Sequence, residues 1–195
     1  MSNHSDRPLI LVTNDDGIEA GGLRFLVETL LPVGDIVVVA PDRPMSGMGH
    51  AVTINQTLRM EKRHFPVEGV REAWQTSGTP VDCVKLAIYE ILGKKPDLLV
   101  SGINHGSNAS INVIYSGTMS AAVEGAIEGI PSIGFSLLNH DPEADFSACV
   151  PSIKTLAKEV LERGLPEGTC LNVNVPNIPL DAIQGIRICR QSAGY

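Results

Sequence analysis

Leu9-Ile10-Leu11-Val12-Thr13-Asn14-Asp15-Asp16-Gly17 is the stretch on which the reading of this chain turns. Its first part is uncharged, apolar and partly β-branched, the pattern of a strand buried on both faces. It stops in an amide, two adjacent carboxylates and a glycine. In an open parallel α/β sheet, ligands bind at the carboxyl ends of the strands. Two neighbouring anions at that edge repel each other, and burying either one unpaired is expensive. A hard divalent cation removes both difficulties, because Mg²⁺ and its relatives prefer carboxylate and water oxygens. Gly17 lets the chain turn sharply while its backbone stays close to whatever sits there. Asp is equally a favoured turn and N-cap residue. By themselves, then, Asp15 and Asp16 read as well for an Asx turn capping the next helix.

Outward from this strand, Leu23, Leu26, Val27 and Leu30 recur at helical spacing, and Pro32-Val33-Gly34 stops that helix. Ile36 to Ala40 is a second buried strand. Strand, helix, strand in this order predicts a right-handed crossover and a parallel pair. The second strand runs into Pro41-Asp42-Arg43-Pro44-Met45-Ser46-Gly47-Met48-Gly49-His50, a Pro- and Gly-rich loop at the same edge. There Ser46, followed by Gly47 and Gly49, can bring a hydroxyl and backbone amides to a ligand, or the segment is an ordinary surface loop. Asp42 and Arg43 read as a surface pair or as a substrate contact.

Ala51–Ile54 and Thr57–Met60 look like short strands of a hairpin or small subsidiary sheet, and Trp74 reads as a packing residue. Thr79-Pro80-Val81-Asp82 combines a hydroxyl N-cap, Pro at the first helical position and an acid in the first turn. The helix it opens carries Val84, Ala87, Ile88 and Ile91 and ends at Gly93. Asp97 to Val100 is a third buried strand. It opens into the long neutral loop Ser101-Gly102-Ile103-Asn104-His105-Gly106-Ser107-Asn108. Long, Gly-punctuated loops at this edge are usually functional. Asn104 offers either a carbonyl oxygen for a hard metal or an Asx turn, and His105 reads as a hydrogen-bonded structural histidine.

Ser116-Gly117-Thr118 opens the next helix. Its unpaired N–H groups, dipole and hydroxyls make an anion site suited to phosphate, though capping alone also explains the Ser and Thr. Ser132–Leu137 is a fourth strand, Asn139–Asp145 a solvated acidic loop, Ser152–Leu161 an amphipathic helix and Cys170–Val175 a fifth strand. Gln184–Cys189 is a last strand candidate, after which the given sequence stops at Tyr195 with no closing helix.

At 195 residues, 43% hydrophobic and 19% charged, the chain predicts one packed α/β domain spanning 1–195. A net charge of −7 with no Lys/Arg run excludes a binder of long nucleic acid. It leaves room for a small phosphorylated substrate if a metal supplies positive charge. The four cysteines have no C-x-x-C spacing and are expected to be buried thiols. Met1–Arg7 lacks an apolar signal core, and no stretch is long enough to span a membrane, so a cytoplasmic protein is expected.

Four loops thus end at one edge: Asn14–Gly17, Ser46–Gly49, Ser101–Asn108 and Ser116–Thr118. Oxygen ligands beside an anion site are the constellation of a phosphoryl hydrolase. The same segments carry a family resemblance. Thr13-Asn14-Asp15-Asp16-Gly17, Ala40-Pro41-Asp42-Arg43 with Ser46-Gly47, Gly78-Thr79-Pro80-Val81-Asp82-Cys83, Ser101-Gly102-Ile103-Asn104 and Tyr115-Ser116-Gly117-Thr118 together resemble the survival protein E family of metal-dependent 5'/3'-nucleotidases. The likeness covers essentially the whole chain.

The resemblance implies a Rossmann-like, mostly parallel sheet with helices on both faces and a small β subsidiary element. It implies hydrolysis of nucleoside 5'- and 3'-monophosphates by a metal-bound water. It places one divalent cation per subunit, Mg²⁺ or Mn²⁺, on Asp15, Asp16, Ser46 and Asn104, with Asp15 and Asp16 catalytic. Asn14, Gly47, Asn108, Ser116, Gly117 and Thr118 are expected around the phosphate. Relatives form homodimers or homotetramers through a C-terminal hairpin and terminal arm beyond the position of Tyr195, which this sequence lacks. Many also have Gly and an acidic residue where this chain has Ser110 and Asn112. Two other readings stay on the table: a phosphatase with a covalent aspartyl intermediate, against which Gly17 stands where a second acid is expected, and a non-catalytic metal- and nucleotide-binding regulatory module.

Overall fold

The structure, a computed structural model, describes residues 7–192. Its strands are β1 (Leu9–Thr13), β2 (Asp35–Pro41), β3 (Met60–Arg63), β4 (Glu72–Thr76), β5 (Leu98–His105), β6 (Ser132–Leu137) and β7 (Leu171–Val175). Its helices are α1 (Gly21–Leu30), α2 (Pro80–Leu86, prolonged by a π-helical turn over Ala87–Leu92), α3 (Gly117–Ile127) and α4 (Val150–Arg163). The strands form one sheet in the order β3-β4-β2-β1-β5-β6-β7. Every neighbouring pair is parallel except β3 with β4.

Strand periodicity decides how the core is divided. Ile10 and Val12 of β1, with Ile36 and Val38 of β2, face one side and pack with Leu23, Leu26 and Leu30 of α1 and with Ile153, Ala157 and Val160 of α4. The alternate residues Leu9, Leu11, Val37 and Val39 face the other side, against Cys83, Val84 and Ile88 of α2 and Ala121 of α3. Successive strand side chains point to opposite faces, so a strand covered on both sides needs an unbroken apolar run. Each fully buried Leu of α1 contributes about 1.5–3 kcal/mol of transfer free energy.

From β1 the chain moves to β2 and β4 on one side, and later to β5, β6 and β7 on the other. The crevice between the ends of β1 and β5 is therefore the topological switch point, where loops diverge and leave room for a ligand. Thr13 is paired with Ser101 there. Beyond Ser101 a register shift against β6 interrupts β5, and pairing resumes at Asn104↔Ser136. Such a bulge re-aims the side chains that follow it.

Four expectations need correction. The strands expected at Ala51–Ile54 and Thr57–Met60 are not formed. The backbone of the first is taken up by α2's start, with Thr79 Oγ1 donating to Ala51 O and Thr53 N to Asp82 Oδ1. The antiparallel hairpin falls later, in β3 and β4, and extends the main sheet through β2. Its outer strand, Met-Glu-Lys-Arg, is exposed along its whole length, a charged edge that hydrophobic periodicity does not reveal. Gln184–Cys189 forms no strand; it lies exposed and has no strand neighbour among the described residues. Cys83 and Cys149 are buried thiols, but Cys170 is only partly buried and Cys189 is exposed on a segment that forms no strand.

Candidate active site

The turn after β1 is built by Asn14. Its Nδ2 donates to Gly17 O (2.9 Å), while Gly17 N donates to Asn14 Oδ1 (3.2 Å). Gly17 adopts φ +101°, and a Cβ there would stand 3.3 Å from the Arg43 backbone, so glycine is required. Asn14, expected near the phosphate, has its carboxamide engaged in this turn. Two further bonds join the loop to the one after β2: Ile18 N to Pro41 O (2.9 Å) and Met45 N to Asp15 O (2.7 Å).

The turn sends Asp15 inward, where it is buried against the start of α3. Thr118 Oγ1 donates to Asp15 Oδ1 at 2.5 Å, and the backbone N–H groups of Gly117 and Thr118 also face the carboxylate. A Cβ on Gly117 would lie 2.6 Å from Asp15 Cβ, so only glycine allows the helix end this close. Burial raises the Asp15 pKa and outweighs these hydrogen bonds, which favour the charged form.

The helix start expected to cradle a phosphate thus has a resident anion. Ser116 is the N-cap, its Oγ accepting from Met119 N (3.0 Å). The hydroxyls of Ser116 and Thr118 both have partners inside the chain.

Asp16 is the contrasting neighbour. Its Oδ2 is buried with no hydrogen-bond partner among the described residues. Loss of solvation, with a smaller addition from the charge of Asp15, pushes its pKa up to about 6. A buried carboxylate oxygen without a donor, beside a second carboxylate, is a position that asks for a cation.

Asn104 stands across the switch point at the end of β5. Both Nδ2 hydrogens are engaged, with Gly106 O and Asn108 Oδ1 (3.3 Å each), which leaves Oδ1 as the free acceptor. Asn108 is itself fixed from below: Nδ2 donates to Ser136 Oγ (2.6 Å), its N to Asn174 Oδ1 (2.8 Å), and its carbonyl accepts from Asn172 Nδ2 (2.8 Å). Asn108 therefore props Asn104. Sequence reasoning missed this support from β7, though the polar alternation in Leu171-Asn172-Val173-Asn174-Val175 is its signal.

Ser46 is exposed, one residue beyond the Met45–Asp15 bond. The far side of its loop is tied by Gly49 N to Tyr115 O (3.3 Å) and by His50 Nε2 to Glu124 (2.8 Å), a buried acid of α3 that also meets Lys85. Gly47 adopts φ +76° in open space between these ties. The His50–Glu124–Lys85 cluster left no signal in the sequence, because its members lie on three separate elements. His105 is not the hydrogen-bonded residue expected; its Nδ1 has no partner among the described residues, and its ring meets Phe146 edge-on, centroids 5.2 Å apart. Arg43 pairs loosely with Asp42 (3.9 Å). Ser110 sits in the left-handed region at φ 57°.

The donors at the crevice are all oxygens: two carboxylates, a carboxamide carbonyl and, on the adjoining loop, a hydroxyl. Such a set, with an orphaned buried oxygen, fits a hard divalent ion rather than a thiophilic one.

The sequence matches the Survival protein SurE family over residues 10–195. It is 61% identical over 186 residues to the 5'-nucleotidase SurE of Flavobacterium psychrophilum, covering 95% of this chain and 72% of that protein. Against the 5'-nucleotidase SurE of Christiangramia forsetii it is 60% identical, covering 97% and 73%. Among solved structures it is similar to the crystal structure of the Sure protein from Aquifex aeolicus, with TM-score 0.85, 44% identity, and 95% and 73% of the two chains covered.

Proposed function

This chain belongs to the survival protein SurE family and is a nucleotidase, a phosphoric monoester hydrolase, and we propose that its catalytic centre is the β1–β5 crevice holding Asp15, Asp16 and Asn104, with Ser46 from the adjoining loop. The observation that carries this reading is the buried Asp16 Oδ2 without a partner, next to a second acid, at the point where the sheet opens. The carboxylates of Asp15 and Asp16, the Asn104 carbonyl and the Ser46 hydroxyl would hold one divalent cation, Mg²⁺ or Mn²⁺. When bound, that ion neutralises both acids and withdraws electrons from a phosphoryl oxygen.

The chain's own groups do the rest. Thr118 and the Gly117 N–H hold Asp15 in one orientation, so it enters the site preorganised rather than as a mobile acid. Whichever Asp16 oxygen the ion would leave uncoordinated accepts the proton from the attacking water. The Gly47 amide and the Ser46 hydroxyl line the equatorial phosphoryl oxygens. Water oxygen bonds to phosphorus, the ester P–O bond breaks, and the leaving nucleoside oxygen takes up a proton from solvent, to which Asp16 returns the one it accepted. Hydrolysis of 5'- and 3'-monophosphates by one pocket follows if the phosphoryl group alone is gripped this tightly.

Phosphate release from a panel of mononucleotides, with Mg²⁺, with Mn²⁺ and with chelator, tests the proposal. Activity requires the ion, and Asn104→Ala raises the ion concentration for half-maximal activity by at least about tenfold. Full activity in chelator, or an unchanged ion requirement in the variant, overturns the assignment.

A further inference from the structure

We propose that the groove of about 320 Å³ beside the Ser46 loop holds the nucleoside moiety of the substrate, with the base between apolar walls and its edge read by Asn55 and Gln56. This inference rests on the nucleotidase reading above and adds to it where the leaving group lies.

The groove adjoins the loop that carries Ser46. Met45 and Met48 line it and bracket Ser46 and Gly47 in the chain, and Met45 N is bonded to the Asp15 carbonyl. A phosphoryl group gripped beside Ser46 therefore directs its ester substituent along this wall. Val52 and Ile54 line it as well. Met48, Val52 and Ile54 are 49%, 45% and 85% exposed, an unusual density of uncovered apolar side chains within one short segment. Thioether and aliphatic walls suit the flat, polarisable faces of a heterocycle.

Asn55 and Gln56, also in the lining, are exposed, and no hydrogen bond occupies their carboxamides among the described residues. Each presents a donor and an acceptor, the complement of a nucleobase edge. The wall is held in place before any ligand arrives: Thr79 Oγ1 donates to Ala51 O (2.7 Å), Thr53 N to Asp82 Oδ1 (3.1 Å) and Thr53 Oγ1 to Asp82 Oδ2 (2.6 Å). The capping box of α2 thus doubles as the anchor of the groove. A second groove, about 380 Å³, lies along β3 and β4; it is lined by Asp42, Glu61 and other mostly polar residues and includes none of the apolar side chains of Met45 to Ile54.

The test compares kcat/KM for a purine nucleoside monophosphate with that for glycerol phosphate, which has no base. In the double variant Met48→Ala/Ile54→Ala the nucleotide-to-glycerol-phosphate ratio falls about tenfold, mainly through KM. Free nucleoside, which inhibits glycerol phosphate hydrolysis in the parent, inhibits the variant correspondingly less. Asn55→Ala and Gln56→Ala, at exposed positions, change the ranking of purine against pyrimidine monophosphates. A parent that prefers nucleotides and a double variant that keeps the ratio within about twofold overturns the groove assignment alone. A parent that cleaves glycerol phosphate and no mononucleotide overturns the nucleotidase reading with it.

Discussion

The starts of α2 and α3 are built from the same chemistry and put to different uses. Both helices cover the same face of the sheet, and both open with a hydroxyl N-cap, Thr79 and Ser116. At α2 the acid that completes the cap is local: Asp82 accepts from Thr79 N (2.9 Å), and Thr79 Oγ1 accepts from Asp82 N (3.2 Å). Its remaining capacity goes to Thr53. No polar atom of that cap is left over. At α3 the first turn carries no acid, and the anion is Asp15, brought from 103 residues away. Because Asp15 arrives with Asp16 beside it, satisfying the helix leaves a second, half-buried carboxylate whose buried Oδ2 has no partner among the described residues. A locally closed cap stabilises a fold; a cap borrowed across the sheet leaves a reactive surplus.

Crossed substitutions put this contrast at risk. Asp15→Asn lowers turnover on mononucleotides by about a thousandfold or more while leaving the thermal midpoint near that of the parent. Comparable turnover in that variant would erase the distinction between the two helix starts. Asp82→Ala does the reverse. It strands the buried donor of Thr79 and the half-buried donors of Thr53, and lowers unfolding free energy by about 3 kcal/mol in denaturant titrations. Its turnover on glycerol phosphate, measured where the protein is still folded, falls no more than severalfold.

A third variant sharpens the account of the surplus charge. Burial and Asp15 raise the folded pKa of Asp16 from its ordinary 3.8 to about 6. A raised carboxyl pKa means that the fold favours the protonated form. Its stabilisation is complete below about 3.8 and is lost as pH rises through about 6. Asp16→Asn, which carries no charge, therefore raises the metal-free melting midpoint relative to the parent. That advantage grows from pH 4 and levels off above about pH 6. A constant difference across this range contradicts the buried-charge account.

The smallest effect concerns the segment that leads into α3. Ser110 holds φ 57°, a conformation costing a non-glycine residue about 1–2 kcal/mol. Glycine relieves this but widens the unfolded ensemble by about 0.4–1 kcal/mol. Ser110→Gly is expected to gain about 0.8 kcal/mol by denaturant unfolding, the difference of those two terms.

Much of the frame was legible before any coordinates. Leu9–Thr13 and Ile36–Ala40 have the unbroken apolar pattern of strands covered on both faces, and Thr79-Pro80-Val81-Asp82 announces its helix through rules that act within one turn. The hairpin was misplaced because Met60–Arg63 is a charged edge strand, whose pairing is fixed by β4 rather than by its own composition. At the site, the acid pair and Asn104 were visible as residue types at strand ends. The part played by Asn14 was not, since its amide turned out to build the loop. Neither was the prop beneath Asn104, whose members come from β6, β7 and the loop itself.

What the sequence by itself determined is the set of elements, their parallel winding and the edge at which the polar loops gather, because apolar period, caps and turn residues act over a few positions. Only the tertiary structure decided that Asp15 serves the start of α3 while Asp16 is left without a donor, and that the segment after His50 becomes a wall instead of a strand. Those outcomes depend on which groups the packed sheet brings within hydrogen-bonding distance, and residues a hundred positions apart carry no local mark of meeting.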